Sequence, residues 1–373
     1  MFKTAIRFML YDKPKTIGAL FGVVIAIFLI GQQTGIFLFL TGAMSALADN
    51  TRTDLWIVDE RTTNVNALGL LDTRFGNELA SFAGVKKVYP FLVAGGSAKF
   101  ANGKTYGVQL VGSQAPYFVG GPWNMIQGSY ENLLNEGAVS ADYFDRKNLG
   151  DAQYGEYFEI NGKKVFIAAQ TRGARGFGAV YLFTTIERAR ALGRVNPNKV
   201  SAFLIELEPN ANPEAVRDAI NQHLVGVKAW LPKDFARATV INILTSSGIA
   251  ISTGTLIVFA VISGTVIIGL TLYSAAVDRL KDYATLKAIG ATNGYISRLI
   301  YTQAIIIALI GYIVGSFLVE GFRNGVAQGG AIFFITPTLR VVFLVLTLSI
   351  ATFGAYFAIR RITQTEPASV FRA

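Results

Sequence analysis

Four uncharged apolar runs constrain this chain more than any other feature: Thr16–Ala48, Ala238–Val277, Leu299–Val319 and Val341–Ile359. Crossing a bilayer takes about 20 apolar residues, and each run is long enough. Composition agrees, with 16% of residues charged against about 25% in soluble domains. The expected fold class is an integral membrane α-helical protein with four transmembrane helices, arranged as one plus three. Between the first two runs lies Asp49–Arg237, polar, strand-rich and long enough to bury a core of its own. It reads as a large α+β extracytoplasmic domain inserted between helices 1 and 2.

Basic residues set the expected orientation. The N-terminal tail holds Lys3, Arg7, Lys13 and Lys15 against Asp12. The 278–298 loop holds Arg279, Lys281, Lys287 and Arg298 against Asp278 and Asp282. The C-terminal tail holds Arg360, Arg361 and Arg372 against Glu366. The short 320–340 loop has only Arg323 and Arg340 against Glu320. By the positive-inside rule both termini and the 278–298 loop are cytoplasmic, so 49–237 and 320–340 lie outside. The protein is then a multi-pass membrane protein with both termini in the cytoplasm. The first three segments carry +3, +2 and +2 of the net +10, which topology and anionic lipid explain. No nucleic-acid-binding motif accompanies the charge. Ala46-Leu47-Ala48 resembles a signal-peptidase site, but a secretory apolar region runs roughly 7–15 residues. The run from Thr16 is far longer, and the first span reads as a retained anchor.

Along the chain, 1–15 places Phe2, Ile6, Met9 and Leu10 on one helical face, as in an interfacial elbow helix ended by Pro14. The spans are read as 16–48, 238–277, 299–319 and 341–359, with the tail at 360–373. Small-xxx-small pairs Gly18/Gly22, Gly31/Gly35 and Gly311/Gly315 predict close helix packing, within a subunit or across a dimer. In 49–237, strands are expected at Asp54–Val58, Val85–Phe91 and Val200–Glu208. Hairpins are expected over Asn102-Gly103 and Asn161-Gly162. Asn212 should cap a helix over Glu214–Leu224. A division into two lobes, with 114–179 inserted between 49–113 and 180–237, is expected. A single helix over 238–277 would be on the order of 60 Å long, twice the hydrocarbon core. Its first half is therefore expected to be a stalk, or the helix to break near Gly248 or Gly254.

Catalytic chemistry is not legible. Gly103-Lys104-Thr105 resembles the end of a P-loop, but Ala98 stands where that motif needs its first glycine. His223 is the only histidine and there is no cysteine, which leaves no histidine-based triad or thiolate metal site. Asp142, Asp145 and Asp151 are spaced like solvated loop residues, without the glycine and glutamate of a calcium loop. Within the spans the polar groups are few: Gln32, Gln33, Thr34 and Gln303. Ion-coupled carriers place ionisable groups at midplane, and none is present here. Met44 and Glu320 are expected near the outer leaflet, where either a lipid anchor or an amphiphilic substrate would meet them.

The segment Asp278-Arg279-x-x-Asp282-x-x-x-x-Lys287-Ala288-x-Gly290-Ala291 resembles the signature of the FtsX-like permease family, E-R-x-x-E-x-x-x-x-R-A-x-G-A. Each acid is exchanged for Asp and Arg for Lys, and the charges are kept. Glu366-Pro367-Ala368-Ser369-Val370-Phe371-Arg372 is similar to the family's closing D-P-x-x-A-L-R, with Val-Phe for Ala-Leu. Length, four spans and the absence of a fused ATPase look most like a DevC-type or HrtB-type subunit of this MacB-type (type VII) ABC transporter family. The resemblance implies a non-catalytic permease, a homodimer bound to two copies of an ABC ATPase. ATP and Mg would sit on that partner, and no cofactor on this chain. Asp278, Arg279, Asp282, Lys287, Ala288 and Gly290 would form the coupling helix seated in the ATPase. A periplasmic adaptor (membrane fusion protein) and an outer-membrane duct are also implied. Function would be mechanotransmission that exports an amphiphile such as a lipid, glycolipid, haem or drug. An FtsX-like signal transducer controlling a cell-wall hydrolase is the alternative.

Overall fold

The computed structural model describes residues 2–11 and 13–363; the closing 366–372 motif lies outside them. Two compact units are present: residues 40–248, and a second unit of the N-terminal 39 residues with 249 onward.

The membrane unit begins with α1 (Phe2–Tyr11), followed by α2 (Lys13–Asn50). Pro14 falls in the first turn of α2, where its missing N–H leaves no partner short. The long apolar helices that follow the inserted domain are α7 (Ile249–Asp278), α9 (Asn293–Ala327) and α10 (Pro337–Thr363), with the short α8 (Leu280–Ala288) between α7 and α9. With α2 they make four helices long and apolar enough to cross a membrane. One departure from the expected loop at 320–340 is clear. Helix α9 continues to Ala327, supported by a Glu320–Arg323 pair one turn apart.

Close packing in this bundle comes from small residues. A side chain at Gly22 would strike Ile267 of α7, and one at Gly31 would strike Val319 of α9. Gly311 and Gly315 face Val23 and Ile27 of α2, Gly35 faces Phe333, and a Cβ on Gly18 would lie 3.8 Å from the Thr271 methyl. All six glycines therefore sit at contacts within one chain. The closest backbone approach involves two glycines that the sequence pattern did not single out. A Cβ on Gly354 of α10 would lie 3.0 Å from the nitrogen of Gly269 of α7.

The inserted unit is built on one ten-stranded mixed sheet with helices on both faces, and a separate two-stranded ribbon. In chain order it contains β1 (Leu55–Asp59), β2 (Leu71–Asp72), α3 (Phe75–Ala80), β3 (Val85–Lys99), β4 (Thr105–Ser113), β5 (Met125–Gln127), β6 (Ala138–Asp142), β7 (Tyr157–Ile160), β8 (Lys163–Thr171), β9 (Val180–Thr185), α4 (Ile186–Gly193), β10 (Lys199–Val200), β11 (Ala202–Leu207), α5 (Pro213–His223), β12 (Val227–Trp230) and α6 (Pro232–Ser247). The sheet runs β12-β1-β11-β3-β7-β8-β5. β4 joins β3 and β9, and β6 joins β8. The segment 114–179 does supply β5 to β8, but β7 pairs with Ala98 and Lys99 of β3. The expected two lobes therefore share one continuous sheet. Both hairpin turns fall where Asn-Gly stands; Asn161 and Gly162 take φ +49° and +80°, the two positive values a tight hairpin turn needs. Asn212 caps α5 through the Glu214 N–H at 3.0 Å.

Alternation explains the two-sided core. Leu55 and Ile57 of β1 face one hydrophobic cluster with Leu79 of α3, Leu192 of α4 and Ile220 of α5. Trp56 and Val58 face the other, with Leu47 of α2 and Phe235 of α6. Side chains two apart share a face, so burying all four demands cover on both sides. Helix α6 ends at Gly248, whose φ of +69° stops it before α7 starts at Ile249. The 238–277 run is thus two helices, broken at the first of the two expected glycines.

Candidate functional site: the charged helix between the second and third spans

Helix α8 ends early because its C-terminus is chemically fixed. At its C-terminus the Ala291 N–H reaches the Leu286 carbonyl at 2.9 Å and the Gly290 N–H reaches Lys287 at 3.0 Å. These are the two hydrogen bonds of a Schellman stop, with Gly290 at φ +102° in the position that excludes a Cβ. Thr292 then caps α9, accepting from the Tyr295 N–H at 3.3 Å. Gly290 thus reverses the chain between two helices without any side chain nearby.

The charged residues divide into an inward and an outward set. Asp278 pairs with Lys15 of α2. Arg279 is buried, its guanidinium 4.9 Å from the Phe8 ring and 5.1 Å from the Tyr11 ring of α1. Its Nη2 has no hydrogen-bond partner among the described residues. Tyr283, also buried, packs its ring 5.8 Å from Phe8. Burial pushes its hydroxyl up to about 12, so it stays protonated at any physiological pH. Lys287 donates to the Thr363 carbonyl of α10 at 3.3 Å. Facing outward are Lys281, Asp282, Thr285, Ala288 and Ile289, the last 76% exposed. Residues 281, 285 and 288 or 289 share one helical face. Charges expected to meet a partner together are therefore separated: Asp282 is presented, whereas Asp278 ties the end of α7 to α2 and Arg279, at the junction before α8, stacks on α1. The signal that could have found this is the aromatic pair Phe8/Tyr11 in α1, since a guanidinium stacks on such rings.

The remaining sequence candidates fall elsewhere. Met44 of α2 is fully buried, its carbonyl accepting from Asn66 at 2.7 Å. Glu320 is half-buried at the far end of α9, paired with Arg323 and 4.0 Å from Arg340. It lines a cavity of about 420 Å³ between α2, α9 and α10. Asp142 and Asp145 are buried and not solvated as expected. The Asp142 carboxylate accepts from the Phe144 and Ala174 N–H groups and the Thr171 hydroxyl. Asp145 takes an ion pair from Arg175 at 2.7 Å, yet burial still raises its carboxyl above the ordinary value. Asp142, the last residue of β6, caps the turn that follows it, and Asp145 in that turn forms the buried pair. Asp151 is exposed. His223 sits exposed at the end of α5, Nδ1 2.8 Å from the Ala219 carbonyl. No group of three or more possible metal ligands occurs among the described residues.

Residues 16–223 match the model of the MacB-like periplasmic core domain, and 254–367 match that of the FtsX-like permease C-terminal region. The chain belongs to the MacB-type, FtsX-like permease family. The family's C-terminal region thus includes α8 and the three later spans, and the core-domain match runs from α2 through α5. No curated protein matches the chain. Among solved structures it is similar to the periplasmic region of MacB from Actinobacillus actinomycetemcomitans, at 11% identity and a TM-score of 0.37 over 54% of this chain and 99% of that one. It is also similar to the extracellular domain of the noncanonic ABC-type transporter YknZ from Gram-positive bacteria, at 14% identity and 0.35 over 48% and 98%. A domain of a putative permease protein from Porphyromonas gingivalis gives 14% and 0.32 over 48% and 88%.

Proposed function

We propose that this permease is the membrane subunit of an ABC exporter whose energy comes from a separate ATPase docked on α8. The supporting observation is the exposed face of α8, which presents Lys281 and Asp282 in its first turn and the uncovered Ile289 at its C-terminal end, while Arg279 stacks on α1 just before it. Charges at one end and an uncovered apolar side chain at the other, on a helix held at its back, suit a force-bearing contact with a soluble partner. Both termini and α8 then lie in the cytoplasm, by the distribution of basic residues. Motion of the ATPase would pass through α7 and α2 to the inserted domain, moving an amphiphile (lipid, glycolipid, haem or drug) without a polar route through the bilayer. Two permease copies, a periplasmic adaptor and an outer-membrane duct complete the assembly.

The experiment is reconstitution of the permease with its ATPase in lipid. Asp282→Lys combined with Ile289→Glu, both on the exposed face, removes permease-stimulated ATP hydrolysis while membrane insertion persists. Full stimulation in that variant rejects α8 as the docking helix.

A further inference from the structure

The cavity between α2, α9 and α10 has a charged rim and an apolar floor. Its floor is Ile27, Ile313, Phe317, Val319 and Phe343, and its mouth holds Glu320 and Arg340. Leu299, where the apolar stretch of α9 begins, lies about 31 Å along the helix from Glu320. That distance matches the hydrocarbon thickness of about 30 Å, so Glu320 stands at the membrane–water boundary remote from α8. Tyr312 lines the cavity about 12 Å along α9 from Glu320, and its hydroxyl donates to the Arg340 carbonyl at 2.9 Å. An interfacial charge group above an apolar slot therefore spans the depth of an upper acyl segment.

The charges choose the head group. Glu320 is shared between Arg323 and Arg340, leaving a local charge of +1. Arg340 stands 4.0 Å from the carboxylate, beyond hydrogen-bond reach, and its side chain is 59% exposed. A larger groove of about 1190 Å³ lies along α7 and α10, but its lining, from Val261 to Phe357, carries no charge and so selects no head group.

We propose that the α2–α9–α10 cavity is a binding site for a membrane phospholipid, with the phosphate against Arg340 and Arg323 and one acyl chain along the apolar floor. The single net positive charge complements one phosphodiester. The site concerns a lipid of the bilayer itself, and it stands whatever amphiphile the complex exports.

The test uses the full chain in vesicles containing phosphatidylglycerol with a photoactivatable acyl chain, compared with the equivalent diacylglycerol. Adducts are expected to concentrate on 312–320 and 340–343, and to be richer with the phospholipid. Arg340→Gln lowers phospholipid capture at those peptides roughly fivefold, the worth of one basic residue at a charged membrane surface, and leaves diacylglycerol capture unchanged. Ser316→Trp, which fills the slot, lowers both. Even labelling of all lipid-facing helices, equal capture of the two probes, or unchanged capture in Arg340→Gln would overturn the site. Arg340→Gln changes an exposed side chain, so the result does not depend on Ser316→Trp folding.

Discussion

A guanidinium stacked on two rings is held by its plane as much as by its charge. Arg279 is such a group, with Phe8 and Tyr11 on α1 as its platform. Replacing it by Ala should loosen α1 from α8 by about 1–3 kcal/mol. Trypsin cleavage at the exposed Arg7 would then quicken, with Arg279→Lys intermediate; unchanged cleavage would mean that the stack holds nothing together. A second residue-scale expectation concerns acid stability of the inserted unit. Glu206 is held below its ordinary value by its hydrogen bond from Lys86 and then by one from Tyr89 at 2.9 Å. A depressed carboxyl stabilises the fold above its unfolded pKa, and that contribution disappears as pH falls through the folded one. Because the pair is partly exposed, the effect is under about 1 kcal/mol. All three tryptophans, Trp56, Trp123 and Trp230, lie in this unit, so intrinsic fluorescence reports its unfolding in the intact protein. Glu206→Gln should lower its melting temperature near neutral pH and narrow the difference from the parent below about pH 4. A constant difference across that range would discount the carboxylate.

At the scale of elements, helix crossings in the bundle depend on where side chains are missing. Gly269 and Gly354 bring the backbones of α7 and α10 together, whereas Gly254, in the same helix α7, faces open space. Without a hydrophobic driving force in lipid, such contacts rest on close van der Waals fit. Gly269→Leu should therefore push α10 away and cost about 1–3 kcal/mol or more, lowering the temperature at which the purified protein leaves solution. Gly254→Leu should be tolerated in the same assay. Equal behaviour of the two variants would remove the crossing as a determinant. The glycine pairs at 18/22, 31/35 and 311/315 were visible as a spacing, because two small residues four apart mark one helix face. Gly269 and Gly354 were not, because neither has a second glycine four residues away in its own helix, and each acquires meaning only opposite the other.

For the whole molecule, orientation can be read with single cysteines, since the chain contains none. A cysteine at Thr4 should react with an impermeant maleimide only from the cytoplasmic side. One at Lys104, on an exposed hairpin tip, should react only from the other. Reversal of either breaks the proposed topology. The sequence by itself determined the four apolar helices and the large domain between the first two, because hydrocarbon admits only long uncharged helical runs and those are countable. It also determined the hairpin turns at Asn-Gly and the identity of α8 as a charged helix with a glycine stop, since both follow from local backbone preference. Tertiary structure alone decided that Asp142 and Asp145 are buried, that β7 joins the two halves of the sheet, and that α9 runs on past Glu320. It alone turned Arg279 inward and Asp282 outward. Periodicity places residues on a face of one element, but which face is covered depends on what distant segments pack there. Phe8 and Tyr11 reach Arg279 only because α1, α2 and α8 meet in space, across more than 250 residues of chain.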